Sequence, residues 1–290
     1  VLVHKGGSDA PLVPLCLSME LCSLTEDIDS NLESALKMDY RPFNDLLSAE
    51  DGEVSICGSG PSLADTYKTL KGDIYACNAA HKWLLEHGVV AKYAMYCDAH
   101  PVTAKFVVRH PDTTYLVASR CHPDVFKALE GCKIVVWHAG SDLHLQELLE
   151  KHHKNEPMVG GGSAAVTRAM FVTYAMGYRK QHLHGADSSY EEGYTHVQES
   201  VVKENELKIM MTENGKMKWF KTTAWMAGQC EDFKLIGPIL RGMGVKIIVH
   251  GKGLLPHIAK QLEFDVDKQS KVMQLTRSFK QNFSELVRQL

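Results

Sequence analysis

The chain lacks both common phosphate-binding signatures: it contains no Gly-Lys-Ser/Thr and no Gly-x-Gly-x-x-Gly. A P-loop nucleotidase and the standard dinucleotide fingerprint are therefore excluded. It lacks a Lys/Arg-rich block and carries a net charge of -3, which argues against a nucleic-acid backbone as partner. No apolar run approaches the roughly 20 residues of a membrane span. None of the eight cysteines forms a Cys-x-x-Cys pair, which speaks against a structural zinc site built on thiolates. Internal repeats, low-complexity tracts and a secretory pattern are also missing. Cys57, Cys77 and Cys97 instead end apolar runs, where a free thiol packs as a small hydrophobe. Free thiols fit a reducing compartment, and the expectation is a cytoplasmic protein.

What is present is an ordinary globular composition, 44% hydrophobic and 23% charged, over 290 residues. That length fits one large domain with appendages. Strand-like runs fall at 54–57, 74–77, 93–97, 114–118, 133–137, 181–184 and 246–250. Helix-like segments separate several of them, at 64–70, 78–87, 163–176 and 223–243. This alternation predicts an α/β fold with a Rossmann-like, mostly parallel sheet flanked by helices. Residues 207–222 read as a hairpin around Asn214-Gly215. Residues 1–50 are expected to form a helical N-terminal appendage, since Ile28, Leu32 and Leu36 share one helical face. Residues 51–265 form the nucleotide-binding domain in this reading. Residues 266–290 form an amphipathic C-terminal helix that packs on its own domain or makes a homo-oligomer contact.

The most informative stretch is Val54-Ser55-Ile56-Cys57-Gly58-Ser59-Gly60-Pro61-Ser62-Leu63. An apolar strand runs into a glycine turn, and Pro61 with Ser62 opens a helix. Glycines admit a ligand close to the backbone, and free amides with the helix dipole favour phosphate. The same residues also fit an ordinary tight strand-to-helix connection. A second glycine turn, Gly160-Gly161-Gly162-Ser163, precedes another helix, with Ser163 as its expected cap. Ligands of open parallel sheets bind beyond the carboxyl ends of the strands. The other strand-end residues are Asn78, Asp98-Ala99-His100-Pro101, Ser119-Arg120, His138 and Gly185-Ala186-Asp187-Ser188-Ser189-Tyr190. His196 follows in a polar loop and could act as a base near neutral pH. Asp98 with His100 could hold Mg²⁺ or a hydroxyl, or serve only as a strand-end cap. The sequence points to no set of side chains for a resident metal.

The loop at 58–63, the turn at 160–163, and Gly185-Ala186-Asp187 with Tyr190 and Thr195-His196 resemble the MptE-like family. That family includes archaeal 6-hydroxymethylpterin diphosphokinases and Maf-type flagellin glycosyltransferases. In pattern it is similar to bacterial family-42 sialyltransferases. The resemblance spans roughly residues 50–260. It implies that Gly58, Ser59, Gly60, Pro61, Ser62 and Asn78 hold a nucleotide, with Asp98 at the same strand ends. Gly161, Gly162 and Ser163 would contact phosphate or ribose, Tyr190 would help phosphate leave, and His196 would act as base beside Asp187. Ser59 replaces the asparagine often found between the two glycines, and the Asp-Leu-Asp of the archaeal diphosphokinases is absent.

The first expectation is glycosyl transfer from a nucleotide-sugar donor to a small hydroxyl acceptor. An ATP-dependent diphosphokinase acting on a pterin-like alcohol is the alternative, and it alone requires Mg²⁺. A non-catalytic nucleotide-binding module would keep both glycine turns but have no use for His196.

Overall fold

The computed structural model describes residues 2–4, 12–14, 25–140, 143–152, 154–190, 207–213 and 216–262. The C-terminal helix expected at 266–290 lies outside these residues. Two short strands, β1 (Leu2–His4) and β2 (Leu12–Pro14), pair antiparallel ahead of helix α1 (Thr25–Leu36). Then come β3 (Arg41–Pro42), β4 (Gly52–Cys57), α2 (Leu63–Thr66), β5 (Asp73–Cys77), α3 (Ala80–Glu86) and β6 (Tyr93–Tyr96). The chain continues through β7 (Thr114–Ala118), α4 (Pro123–Ala128), β8 (Lys133–Ala139), α5 (Leu143–Lys151) and β9 (Met158–Val159). Helix α6 (Ala165–Ala175) leads into β10 (Tyr178–His184). The last described elements are β11 (Leu207–Glu213), β12 (Lys216–Thr222), α7 (Ala224–Gly242), β13 (Lys246–Val249) and α8 (Leu254–Leu262).

Nine strands form one sheet in the order β13-β10-β4-β5-β6-β7-β8-β3, with β9 also on β8, and every ladder is parallel. Parallel strands covered on both faces must be apolar nearly throughout, which is why the runs at 54–57 and 114–118 were readable. Alternate residues of β4 serve opposite layers. Val54 and Ile56 join the core that contains Val172 of α6 and Phe233 of α7. Cys57 joins the core of Leu63, Ala80, Trp83 and Leu84 from α2 and α3. Each such side chain, fully buried, contributes about 1.5–3 kcal/mol.

The segment before β4 is tied into this frame. Ile28, Leu32 and Leu36 of α1 pack on Leu145, Leu148 and Leu149 of α5, and β3 extends the sheet edge. The expected hairpin forms as β11 paired antiparallel with β12, and its Asn214-Gly215 turn lies outside the described residues. Among the described residues no helix is long and apolar enough to cross a membrane.

From β4 the chain winds outward through β5, β6, β7 and β8. It then returns through α6 to place β10 on the other side of β4. The strand order reverses between β4 and β10, the topological position where open α/β sheets hold ligands.

The core of α3 carries a predictable acid sensitivity. His81 is fully buried against Tyr115, and neither ring nitrogen has a hydrogen-bond partner among the described residues. Burial, with the His110 charge added, pushes its pKa down to about 4. A base with a depressed folded pKa contributes its full stability above the unfolded value and loses it as pH falls toward the folded one. At pH 5 this group should cost about 2 kcal/mol relative to pH 8. Urea melts at the two pH values should show that loss in the wild type and a smaller one in His81→Leu. Equal losses would assign the acid sensitivity to other groups.

Candidate functional site

The loops that leave β4 and β10 are bonded to each other. The Gly58 amide donates to the His184 carbonyl at 2.8 Å, and the Gly60 amide to the Gly185 carbonyl at 2.8 Å. The Ser62 amide donates to Asp187 Oδ2 at 2.8 Å. A Cβ on Gly58 would lie 2.6 Å from the Gly185 oxygen, and one on Gly60 would meet both that oxygen at 2.6 Å and the Asp187 carboxylate. Gly185 itself has φ +59, a conformation that favours glycine. These glycines are thus required by the close approach of two protein loops, a stronger reason than the ligand access expected from sequence. Gly60→Ala should lower the melting temperature, at a cost of about 1–3 kcal/mol, and weaken ligand binding together with it. A Gly60→Ala protein that melts like the wild type would contradict this packing role.

Helix α2 is a single turn, and the buried Asp187 carboxylate already occupies the anion position at its start. Asp187 also borders the cleft described below, so the same side chain fixes the first loop and faces the ligand space. The second glycine turn differs. It enters α6, an 11-residue helix whose first residues, Ala165, Val166 and Thr167, line the cleft. Helix first-turn amides have no intrahelical partner, so α6 is the better anion site of the two. Ser163 does not cap α6. Its amide and hydroxyl both donate to Asp232 Oδ2 of α7, at 2.7 and 2.5 Å, and Ala164 occupies the cap position. As a cap the hydroxyl oxygen would accept from a backbone amide; here the hydroxyl donates to a carboxylate, a charge-assisted bond that pins the glycine turn to α7.

The cleft holds about 600 Å³ and lies over the β4–β10 switch. Residues from four strand ends meet there: Gly58, Ser59 and Gly60 after β4, then Asn78, Asp98 and Asp187 after β5, β6 and β10. Gly161, Gly162 and Ser163 line the same cleft. Asn78 sits in the left-handed region at φ 49, a conformation asparagine tolerates, and its Oδ1 is buried with no hydrogen-bond partner among the described residues. Pro61 and Ser62 lie behind the lining, where Ser62 serves the Asp187 contact. Tyr190 is also off the lining, with its amide bonded to the Lys221 carbonyl at 2.8 Å. His196, with Tyr194 and Thr195, falls outside the described residues.

Asp98 and His100 behave as a strand-end turn. Asp98 Oδ1 accepts the His100 amide at 3.0 Å, and His100 Nδ1 accepts the Val102 amide at 3.1 Å. His100 is exposed and does not border the cleft, which leaves it poorly placed as a base.

Two cations enter the cleft: Arg120, already among the strand-end residues, and Arg168, which the sequence reading had not placed in the site. Arg168 is one turn into α6, and Arg120 follows β7. Arg168 Nη1 and Arg120 Nε are buried with no hydrogen-bond partner among the described residues. Burial draws the Arg168 pKa below the usual arginine value; Cys97 and Asp232 oppose the shift and Arg120 adds to it. A signal was available for Arg168, the single charged residue in the otherwise apolar stretch 165–176. Trp225 and Gln229 of α7 also line the cleft.

A second polar cluster looks catalytic in composition. His138 lies 2.9 Å from Ser119 Oγ and 2.9 Å from Glu156 Oε2, and Tyr40 donates to Glu156 at 3.0 Å. Ser119 and His138 are fully buried and do not border the cleft, so no substrate reaches that hydroxyl. The cluster ties β7, β8 and the Glu156 segment together.

The family model for MptE-like proteins, described as 6-hydroxymethylpterin diphosphokinase MptE-like, matches residues 26–193, which include both glycine turns and the loop after β10. The chain belongs to the MptE-like family. This membership agrees with the family whose motif order the sequence resembled. Among solved structures, the chain is similar to the Maf glycosyltransferase from Magnetospirillum magneticum AMB-1, at 15% identity and a TM-score of 0.61. The match covers 87% of this chain and 43% of that one, so the MptE-like chain spans less than half the length of the glycosyltransferase. At this identity the likeness concerns the fold. No curated protein sequence matches the chain.

Proposed function

We propose that this protein is a transferase whose nucleotide donor lies across the β4–β10 switch, and that it transfers a glycosyl group from a nucleotide-sugar to a hydroxyl acceptor. The observation that carries the reading is the pair Arg120 and Arg168. Their unpartnered guanidinium nitrogens stand beside the α6 N-terminus in one cleft. Two fixed cations with helix amides suit the charge that develops on a departing nucleotide phosphate, and arginine presents donors in a fork that matches phosphate oxygens. Such a site neutralises the leaving group without requiring Mg²⁺. Gly58, Ser59 and Gly60 would pass along the nucleotide, and the Asn78 Oδ1 would accept from the base or ribose. Asp98 faces the same end of the cleft. Gly161 and Gly162 would lie along the phosphates, and Ser163, committed to Asp232, would hold the turn rather than the ligand. His196 would take the acceptor proton and Asp187 would keep both loops in register; Tyr190, off the cleft lining, would donate to the phosphate only by turning in from behind it.

The description of the matched family favours a second reading, diphosphoryl transfer from ATP to a pterin-like alcohol. The products separate the two. Incubation with CMP-, UDP- and GDP-sugars should release free nucleotide, and the release should persist in EDTA. AMP formed from ATP and a hydroxymethylpterin only when Mg²⁺ is present would assign the diphosphokinase reading instead. No turnover of any donor, with acceptor alcohols supplied, would leave a binding module.

A further inference from the structure

On the face of the sheet opposite α6, three histidines meet. Residues 182 and 184 of β10 point the same way by the two-residue strand period. The pairing Leu183↔Val249 carries the next residue of the neighbouring strand, His250, beside His184. One ligating nitrogen from each ring lies within 4.8 Å of the others. His182 Nδ1 is 3.0 Å from His250 Nε2, and the His184 and His250 rings stack at 4.2 Å.

The proton positions follow from the partners. Glu53 Oε1 lies 2.9 Å from His182 Nε2, and a carboxylate accepts only, so Nε2 carries the proton. His182 Nδ1 is therefore a lone pair turned toward His250, whose Nε2–H donates to it. His184 is fully exposed to neither water nor a partner: its side chain is 0% accessible, and both ring nitrogens lack a hydrogen bond. A buried imidazole left unsatisfied in this way is costly unless something else meets it.

We infer that His182, His184 and His250 bind one divalent transition-metal ion, of which Zn²⁺ is the one to test first. Three neutral imidazoles with one open position are a known zinc donor set, and Zn–N bonds of 2.0–2.1 Å place ligand nitrogens about 3.4 Å apart in a tetrahedron. The 3.0 Å between His182 and His250 already falls near that spacing, and His184 has to turn out of its parallel stack on His250 to aim a ring nitrogen at the same point. Glu53 supplies the outer carboxylate that fixes the His182 tautomer, and Lys180 holds Glu53 at 2.6 Å. Binding moves the His250 proton from Nε2 to Nδ1, so the step needs no net proton release. The Lys71 charge acts on His250 and opposes the ion by like charge. The ion would join β10 to β13 directly beneath the loop that begins at Gly185. It would form a site separate from the nucleotide cleft, and it departs from the sequence reading, which assigned no metal.

The test uses the full chain, stripped with a chelator, dialysed and titrated with Zn²⁺ and then Co²⁺. The expected result is one equivalent bound, a melting temperature raised by Zn²⁺, and a Co²⁺ visible band without the thiolate charge-transfer feature that cysteine ligation would add. His250→Gln, at the half-exposed member, should bind at least 10-fold more weakly, and His144→Gln on α5 should bind like the wild type. Absence of stoichiometric binding, a thiolate signature, or equal affinity in wild type and His250→Gln would overturn the site. Loss of this site would leave nucleotide turnover as a separate question.

Discussion

Arg168→Met will bind nucleotide roughly 10- to 100-fold more weakly than the wild type and will melt at a higher temperature. Hydrogen bonds to a charged group are worth about 1.5–3 kcal/mol, which sets the loss in affinity. The gain in stability follows from the free state. Arg168 Nη1 is buried without a partner, and burial opposes its charge. Methionine keeps the apolar stem and a high helix propensity, and it removes an uncompensated cation from a half-buried position. Opposite effects on binding and stability mark a residue kept for function. Arg168→Lys should restore part of the affinity, since it keeps the charge and loses the fork. Calorimetric titration and scanning calorimetry read the two effects. Unchanged affinity with lowered stability would make Arg168 a packing residue.

The second large effect is expected at His196. As general base it would contribute about 10²- to 10⁴-fold, so His196→Ala should lower turnover by that factor with nucleotide affinity nearly intact. The loss should appear in kcat, because the interaction forms mainly in the transition state. His100→Ala is the control. His100 Nδ1 is already the acceptor for the Val102 amide, so its removal should affect the 101–106 turn and leave turnover within about threefold. Turnover that survives His196→Ala to the same extent would move the proton transfer to another group.

The sheet was legible because buried parallel strands are written as short apolar runs, and because ligands gather beyond their carboxyl ends. That rule brought Gly60, Asn78, Asp98 and Asp187 together from distant parts of the sequence, the second glycine turn added Gly162, and the fold places all five on one cleft. Contacts between remote segments leave no such trace. Asp232 reaches Ser163 across 69 positions and Asp187 reaches Ser62 across 125, and neither carboxylate has a local motif. At Gly58 and Gly60 the sequence offered both ligand access and a tight strand-to-helix connection, and only the fold shows that the approach of the loop at Gly185 requires glycine there. Arg168 carried a signal, a lone charge in an apolar helix, that only the fold turned into a position. The three histidines required the β10–β13 register before they became neighbours. Short elements such as β9 and α4 are set by their surroundings, since a few residues hold too little periodicity to be read.

Isothermal titration of CMP, UDP, GDP and ATP into the chelator-treated protein, without Mg²⁺, tests the nucleotide cleft most directly. The account predicts saturable binding of at least one of them at one equivalent, and loss of that binding in Arg168→Met. Binding that appears only with Mg²⁺, or that is the same in wild type and Arg168→Met, would contradict a metal-free cleft built around the arginine pair.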